Sequence, residues 1–371
     1  MEIQAAVAHG NGQPLMIEAI DLDEPQADEI LVRIVATGIC GTDLGILSHA
    51  PLPWPAVLGH EGAGIVEHVG SAVTGITPGD HVVLTTTSCG RCATCQQGQP
   101  SFCMRFRAVN MSGGRRADGS CTHHQHGKPA FGGFLGQSSF AAYALATERN
   151  AIRIDKDLPL DVMAPFGCGI QTGAAAVLNT LKVQAGKSLV VFGAGAVGLS
   201  ALMAAKIAGC GPLIVVDTKA DRLALAMELG ATRTINPQEE DAVALLQADG
   251  GVDYAVEATG IASVMENAVN ALGVNGVAVL VGVAPGQKVA IDPTALQSRG
   301  LTVMGTIMAG RDGVPALFVR KLIDFWKEGK LPVEKLIRYY EFSEINEAIA
   351  AAKDGSAVKP ILRLPLNGET A

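Results

Sequence analysis

The sequence predicts an α/β protein in two parts, a mainly β part and a doubly wound parallel sheet. Three observations predict it. The first third consists of short β-branched or alternating runs separated by turn signals. From about residue 160, apolar strands alternate with helical patterns, which implies a parallel sheet. A glycine loop, Gly193-Ala194-Gly195-Ala196-Val197-Gly198, stands between one such strand and the helix that follows.

Taken in order, residues 30–35, 64–69 and 81–85 read as strands, and Thr77-Pro78-Gly79-Asp80 marks a turn between the last two. Residues 104–137 are rich in Gly, Arg, His and Ser without periodicity, which predicts a long irregular surface segment. Beyond residue 160, strands are predicted at 188–192, 213–216, 253–257 and 276–282. Helices are predicted at 197–208, 221–229 and 261–272. After residue 300 come a strand at 301–306, a helix at 314–327 and a last strand near 360–364, which is expected to return to the N-terminal part. The expected domains are 1–160 with 299–371, and 161–298. No internal repeat or low-complexity segment is evident.

Composition narrows the function. The chain has 371 residues, 48% of them apolar and 17% charged, which favours two domains with sizeable cores over disorder. A net charge of −8 and a pI near 5.5 give no basic field to attract phosphates, so no nucleic-acid partner is expected. The longest apolar stretch, residues 188–217, is broken by glycines, Lys206 and Pro212, whereas a membrane span needs about 20 apolar residues. The start, MEIQAAVAHGNGQPLMIEA, shows no basic segment followed by an apolar one. A cytoplasmic protein with no membrane partner is expected. In such a compartment thiols stay reduced, so clustered cysteines among the eight point to metal.

The glycine loop has a mechanical reading. Gly193 permits the sharp turn, Gly195 lets a pyrophosphate approach the backbone, and Gly198 lets the helix pack on the sheet. Ala196 and Val197 begin that helix, whose free N–H groups and positive dipole end favour phosphate. Asp217 ends the next strand about twenty residues on, where a carboxylate accepts both ribose hydroxyls and repels a 2′-phosphate. The expected cofactor is NAD rather than NADP. A glycine turn serving only packing is the alternative, and the acid at the second strand argues against it.

Cys89, Cys92, Cys95 and Cys103 place four thiols in one polar loop. Zn²⁺ takes four soft ligands in a tetrahedron, and short Cys-x-x-Cys turns deliver them in pairs. With every corner a thiolate, no place remains for substrate, so the role is structural. A second group, Cys40, His60, Glu61 and Cys168, is scattered along the chain. Two thiolates and an imidazole would leave one corner open, as catalytic zinc requires. Spacing alone leaves two readings open: a ligand set, or buried cysteines and an ordinary hydrogen-bonded histidine.

Four segments carry a family resemblance: GHEGAGIVEHVGSAVTGITPGDHV (59–82), GQSSFAAYAL (136–145), GCGIQTGAAAVLN (167–179) and FGAGAVGLSAL (192–202). Together with both cysteine groups, they resemble the zinc-containing alcohol dehydrogenases of the medium-chain dehydrogenase/reductase family. The similarity is greatest to the aryl-alcohol (benzyl alcohol) and geraniol dehydrogenase branch and runs along essentially the whole chain. It implies a GroES-like catalytic domain and a Rossmann NAD domain, with two Zn²⁺ per chain. It also implies that Cys40, His60 and Cys168 hold catalytic zinc and that Glu61 lies beside the metal, coordinating transiently. By the same resemblance Asp43 orients His60, Thr42 takes the substrate proton, Thr172 meets the nicotinamide side and Lys359 meets the pyrophosphate. The implied reaction is reversible oxidation of an aromatic or allylic primary alcohol to the aldehyde, with hydride passing to NAD.

The sequence departs from that pattern at two places. Gly41 stands where a basic residue or His contacts the pyrophosphate, and Gly45 where a His ends the proton relay. His49 is either a substitute in that relay or an ordinary surface His before the turn at 51–55. Trp54 either lines the substrate pocket or packs near the turn. Phe106, Phe131 and Phe134 are candidates to meet an aryl or isoprenoid group. His123, His124 and His126 are expected to face solvent, and Cys121 and Cys210 lack ligand partners at suitable spacing. S-(hydroxymethyl)glutathione or polyol dehydrogenation is the alternative within the enzyme class, and a non-catalytic NAD-binding redox sensor the alternative outside it. The family forms dimers and tetramers, and a homotetramer is expected, with residues 301–306 as a candidate edge strand at the subunit interface.

Overall fold

The structure, a computed structural model, describes residues 1–49 and 52–365, so Pro51 of the predicted 51–55 turn lies outside the described residues. The chain divides into two compact units. The first holds residues 1–168, 314–323 and 334–371, and the second 169–313 and 324–333. The boundaries fall after Cys168 and Gly313 rather than after residues 160 and 298.

The first unit is built on antiparallel strands, as the alternating runs imply. β1 (Glu2–Ala8) pairs with β2 (Met16–Leu22), and β3 (Glu29–Gly38) is the long strand on which the larger sheet is assembled. β4 (Ala56–Val57) pairs with β1. β5 (Gly62–Val69) and β6 (His81–Leu84) continue from β3. β7 (His123–Gln125) and β8 (Lys128–Ala130) form a small hairpin that extends the sheet through β2. β9 (Tyr143–Thr147) pairs with β3, and β10 (Ala151–Ile154) with β6. Apolar side chains of these strands, including Ile30, Val32, Ile34, Val82, Leu84 and Phe140, make one core cluster.

The second unit is a six-stranded parallel sheet. β11 (Leu189–Phe192), β12 (Leu213–Val216), β13 (Arg233–Ile235), β14 (Val252–Glu257), β15 (Leu272–Leu280) and β16 (Thr302–Gly305) lie in the order β13-β12-β11-β14-β15-β16. β11 and β12 are buried at every residue, as expected of strands covered on both faces. Because β16 pairs with β15, the stretch just after residue 299 belongs to this unit. The sheet turns at β11, whose neighbours β12 and β14 follow on opposite sides. The crevice at such a reversal is where doubly wound folds bind ligands.

The chain then returns to the first unit. β17 (Ile337–Glu341) pairs in parallel with β18 (Lys359–Arg363), and β18 runs antiparallel to β3. The return places Lys359 beside the end of β3.

The segment 104–137 differs from its expectation. It carries the helix Phe106–Asn110 and the β7–β8 hairpin. Asn110, Cys121, His123, Phe131 and Phe134 are buried rather than on the surface. Glycines and polar residues hid these elements because the segment is held by specific contacts rather than by periodic burial. Arg116 is one such contact: its guanidinium bridges Asp23 and Glu29, tying the loop to the first strands. Of the three histidines expected in solvent, His123 is fully buried; His124 is half-buried and His126 exposed.

His123 bonds through Nδ1 to Thr122 Oγ1 at 2.8 Å, while its Nε2 is buried without a partner among the described residues. Burial opposes the charged ring and holds its pKa at about 4, below the ordinary 6.5. The unfolded chain therefore takes up a proton first as pH falls. Stability drops between pH 6.5 and 4, by up to about 3 kcal/mol for this single site. Replacing His123 by Gln is expected to flatten the dependence of unfolding free energy on pH across that window. Parallel native and variant curves would show that this ring does not set the acid limit.

Candidate active site and metal centres

Among the described residues, two groups of metal-ligating side chains are gathered. In each, one ligand atom per residue lies within 4.8 Å of the others. One group is Cys89, Cys92, Cys95 and Cys103; the other is Cys40, His60, Glu61 and Cys168. The first comes from a single loop with a short helix, Ala93–Gln96, between its second and fourth members. Cys92 Sγ lies 3.4 Å from Cys95 Sγ and 4.0 Å from Cys103 Sγ, and Cys89 N–H points at Cys103 Sγ over 3.3 Å. The Thr94 hydroxyl and the main-chain N–H of Cys95 hold the Cys92 thiol down at about 5, favouring thiolate. Four sulfurs at these separations suit a tetrahedral thiophilic ion and leave no corner for anything else.

The second group is assembled from three places. Cys40 follows β3 and precedes the helix Gly41–His49. His60 and Glu61 lead into β5, and Cys168 ends a short 3₁₀ turn, Ala164–Gly167. That turn sits tight against β6: a Cβ at Gly167 would stand 1.9 Å from Leu84 O, and the Thr85 hydroxyl donates to Gly167 O at 2.7 Å. Only a residue without a side chain lets Cys168 come so close to the sheet.

Asp43 is completely buried and accepts from Cys40 N–H at 3.1 Å, Gly59 N–H at 3.2 Å and His60 Nδ1–H at 3.0 Å. This fixes the His60 tautomer with its proton on Nδ1 and its lone pair on Nε2. Nε2 is buried and has no hydrogen-bond partner among the described residues. Leaving such an atom unsatisfied costs about 1–3 kcal/mol, and a metal ion satisfies it. Phe134 packs edge-on against the His60 ring, centroids 5.6 Å apart at 82°. Gln137 braces the same turn, accepting from Gly62 N–H and donating to His60 O.

Charge is arranged to match. The Cys168 thiol donates toward Cys40, and with His60 and Lys359 nearby this draws the Cys40 thiol well below its ordinary value despite burial. Burial works against a charged His60, but Asp43 and Cys40 outweigh it and raise its pKa. Burial raises Glu61, with Lys359 pulling the other way. A soft dithiolate–imidazole set around an orphaned nitrogen fits zinc.

Several expected residues stand elsewhere. Lys359, expected at a pyrophosphate, is buried with its ammonium on Glu61 Oε2 (2.8 Å), Glu61 Oε1 (3.0 Å) and Ile39 O (3.2 Å). The return strand β18 carries it into the interior, to a partner 298 positions away in the chain. Phe131 and Phe134 are core side chains, not an open aryl surface, and Phe106 and Trp54 pack half-buried on the same cluster. Thr42 is half-buried in the first turn of the helix after Cys40, and His49 is exposed at its far end. Thr172 lies in the second unit, its hydroxyl 3.9 Å from Met308 Sδ. A Cβ at Gly41 or Gly45 would meet nothing within 4 Å.

The second unit holds its own site at the end of β11. Gly195 caps the helix Ala196–Ile207, and a Cβ there would meet nothing within 4 Å, so the space over the loop is open to a ligand. A Cβ at Gly198 would stand 1.8 Å from Gly193 O, so this position must be glycine for the helix to seat on the strand. Asp217 accepts from Ala194 N–H at 2.6 Å and Lys219 N–H at 2.9 Å. With Gly193, Thr218, Glu239 and Ile261, it lines a cavity of about 520 Å³. Gly198→Ala should cost about 1–3 kcal/mol in unfolding free energy, and Gly195→Ala less than about 1 kcal/mol. Equal losses would contradict the different roles assigned to the two glycines.

Residues 26–156 match the family described as "Alcohol dehydrogenase GroES-like domain", and residues 196–324 match "Zinc-binding dehydrogenase". The chain is 42% identical to geraniol dehydrogenase of Castellaniella defragrans over 363 residues, 97% of each protein. The crystal structure of an alcohol dehydrogenase zinc-binding domain protein from Burkholderia ambifaria superposes with a TM-score of 0.95 at 46% identity, covering 98% of this chain and 99% of that one. Benzyl alcohol dehydrogenase from Acinetobacter calcoaceticus superposes with a TM-score of 0.94 at 41% identity, covering 98% and 100%. The GroES-like unit, the parallel nucleotide-type sheet and the two thiol-rich clusters thus agree with the comparisons: the chain belongs to the zinc-dependent alcohol dehydrogenases of the medium-chain dehydrogenase/reductase family, in the aryl-alcohol and geraniol dehydrogenase branch.

Proposed function

We propose that this enzyme oxidises an allylic or aromatic primary alcohol, of the geraniol or benzyl alcohol type, to the aldehyde, using NAD and two zinc ions per chain. The gathering of Cys40, His60, Glu61 and Cys168 around the unpartnered Nε2 of His60 carries the reading. The substrate class rests on the relatives that act on geraniol and benzyl alcohol.

Cys40, His60 and Cys168 would hold the catalytic ion, and Cys89, Cys92, Cys95 and Cys103 the structural one. Zinc supplies the Lewis acidity that makes an alcohol proton labile near neutral pH, and NAD supplies the hydride acceptor. Asp43 keeps His60 in the tautomer that presents Nε2, and Phe134 blocks the ring from turning. The Thr42 hydroxyl accepts the substrate proton and passes it on, to His49 or to water. Asp217 has about four lone-pair sites, of which two take main-chain N–H groups, leaving the others for ribose hydroxyls. The same carboxylate repels a 2′-phosphate, which favours NAD over NADP. Gly193, Gly195 and the first helical residues Ala196 and Val197 seat the pyrophosphate. Thr172 would contact the nicotinamide side.

A homotetramer is the proposed assembly, with β16, the last strand of the parallel sheet, as the edge that pairs across a two-fold axis. None of the eight cysteines forms a disulfide among the described residues, in keeping with a reducing cytoplasm.

Metal analysis should give two zincs per native chain and one in Cys40→Ser or Cys168→Ser, with alcohol oxidation abolished in both. One zinc in the native protein would sink the catalytic assignment. In a panel of benzyl alcohol, geraniol, sorbitol and S-(hydroxymethyl)glutathione, the first two should give the highest kcat/KM. A preference for either of the others would replace the proposed substrate class. Asp217→Ala should raise kcat/KM with NADP relative to NAD by about tenfold, near 1.4 kcal/mol; an unchanged ratio would remove Asp217 from cofactor choice.

A further inference from the structure

The ion pair between Glu61 and Lys359 is not explained by holding a metal. Its two members are completely or nearly completely buried, and the lysine meets both carboxylate oxygens. The proposed ion and its direct protein ligands already balance in charge without it. Two thiolates neutralise Zn²⁺, and Glu61 and Lys359 neutralise each other. A buried carboxylate already paired with a cation has little to gain from a second one.

The carboxylate also sits in a shaped place. Gly38 N–H donates to Glu61 O at 3.0 Å as β3 meets the start of β5. A Cβ at Gly38 would stand 2.1 Å from Glu61 Oε2, and 3.2 Å from both Cβ and Cδ of the same side chain. Its three nearest neighbours are all Glu61 atoms, and the Gly38 backbone is not in the left-handed region. The missing side chain at position 38 is therefore room for one carboxylate. One Glu61 oxygen nevertheless lies within 4.8 Å of the ligand atoms of Cys40, His60 and Cys168, close enough to join them after a small shift.

We propose that Lys359 and the bare Cα of Gly38 act as positioning residues that hold Glu61 in a buried ion pair, and so keep the fourth corner of the Cys40–His60–Cys168 metal site open. The inference rests on the zinc reading above and adds the device that keeps the site three-coordinate in protein ligands. Without the lysine, Glu61 loses the ammonium that faces both of its oxygens, and the proposed metal becomes its alternative cation. With a methyl group at position 38, the carboxylate loses its place and is pushed toward the same corner.

The test uses the full-length protein with cobalt(II) exchanged for the catalytic ion, and imidazole as a probe of the open corner, followed by visible absorption. Lys359→Met and Gly38→Ala are each expected to weaken imidazole binding by about tenfold or more, the range for groups that orient a metal's ligands. Adding Glu61→Gln to either should restore binding to within about twofold of native, and Lys359→Arg should retain it. A general loosening of the site would not be rescued by removing the carboxylate. Native-like imidazole binding in both single variants overturns the proposal, as does a loss that persists with Glu61→Gln. Should Lys359→Met fail to fold, Gly38→Ala with and without Glu61→Gln decides alone. A native protein lacking thiolate-to-cobalt absorption overturns the metal reading itself, and this inference with it.

Discussion

Asp43 is fully buried. Its carboxylate is stabilised by three N–H groups from separate points of the chain: Cys40, Gly59 and the His60 ring. A buried carboxylate without those donors would carry a large desolvation cost. The converse also holds, because the three donors would not be gathered without the anion. The helix after Cys40 and the turn before β5 are pinned to each other at this one point, which brings a sulfur and an imidazole nitrogen within reach of a shared ion. The sheets position these segments coarsely, and the carboxylate sets them to the precision that coordination requires.

How much of this was legible depended on distance along the chain. The thiol loop and the glycine loop could be read because their chemistry is local: Cys89 to Cys103 and Gly193 to Gly198 are each one short, continuous segment. Cys40, His60 and Cys168 could not be joined from spacing, since only the pairing of β3, β5 and β6 brings them together, and the resemblance supplied what spacing could not. Lys359 shows the same limit more sharply. It reads as a basic residue near the end of the chain, and its partner is fixed by a strand pairing between β18 and β3.

Other elements were missed for smaller reasons. β13 is three residues long and carries Arg233 and Thr234, too short for any period to show. The helix Ala242–Ala248 is apolar at nearly every position, which leaves no face to detect. The helix Ile345–Asp354 did carry signals: apolar residues at Ile345, Ala348 and Ile349, and a capping box between Glu341 and Glu344 just ahead of it. His123 lies in an irregular segment, and irregular backbone is not thereby exposed. A neutral imidazole is a modest burden to bury, and Thr122 satisfies one of its nitrogens.

The two thiol clusters also show why each sits where it does. Four thiolates on Zn²⁺ carry a net charge of about −2, which is costly to place in a dry interior. Three of the four cysteines in that loop are half-buried, and the guanidinium of Arg149 lies over Gly90, where any side chain would strike it. Water and a cation therefore share the excess charge. Two thiolates and an imidazole would leave a zinc complex at the other cluster neutral, and neutrality would permit its burial beside Phe134 and the core of the first unit. Glu61 would upset that balance, and Lys359 restores it within hydrogen-bonding distance. Burial in turn makes the chemistry possible, since a metal's pull on an alcohol proton is strongest where water is excluded. Ligand count, net charge and depth thus follow from one another: a saturated anionic site at the edge, and a neutral site with one corner to spare inside.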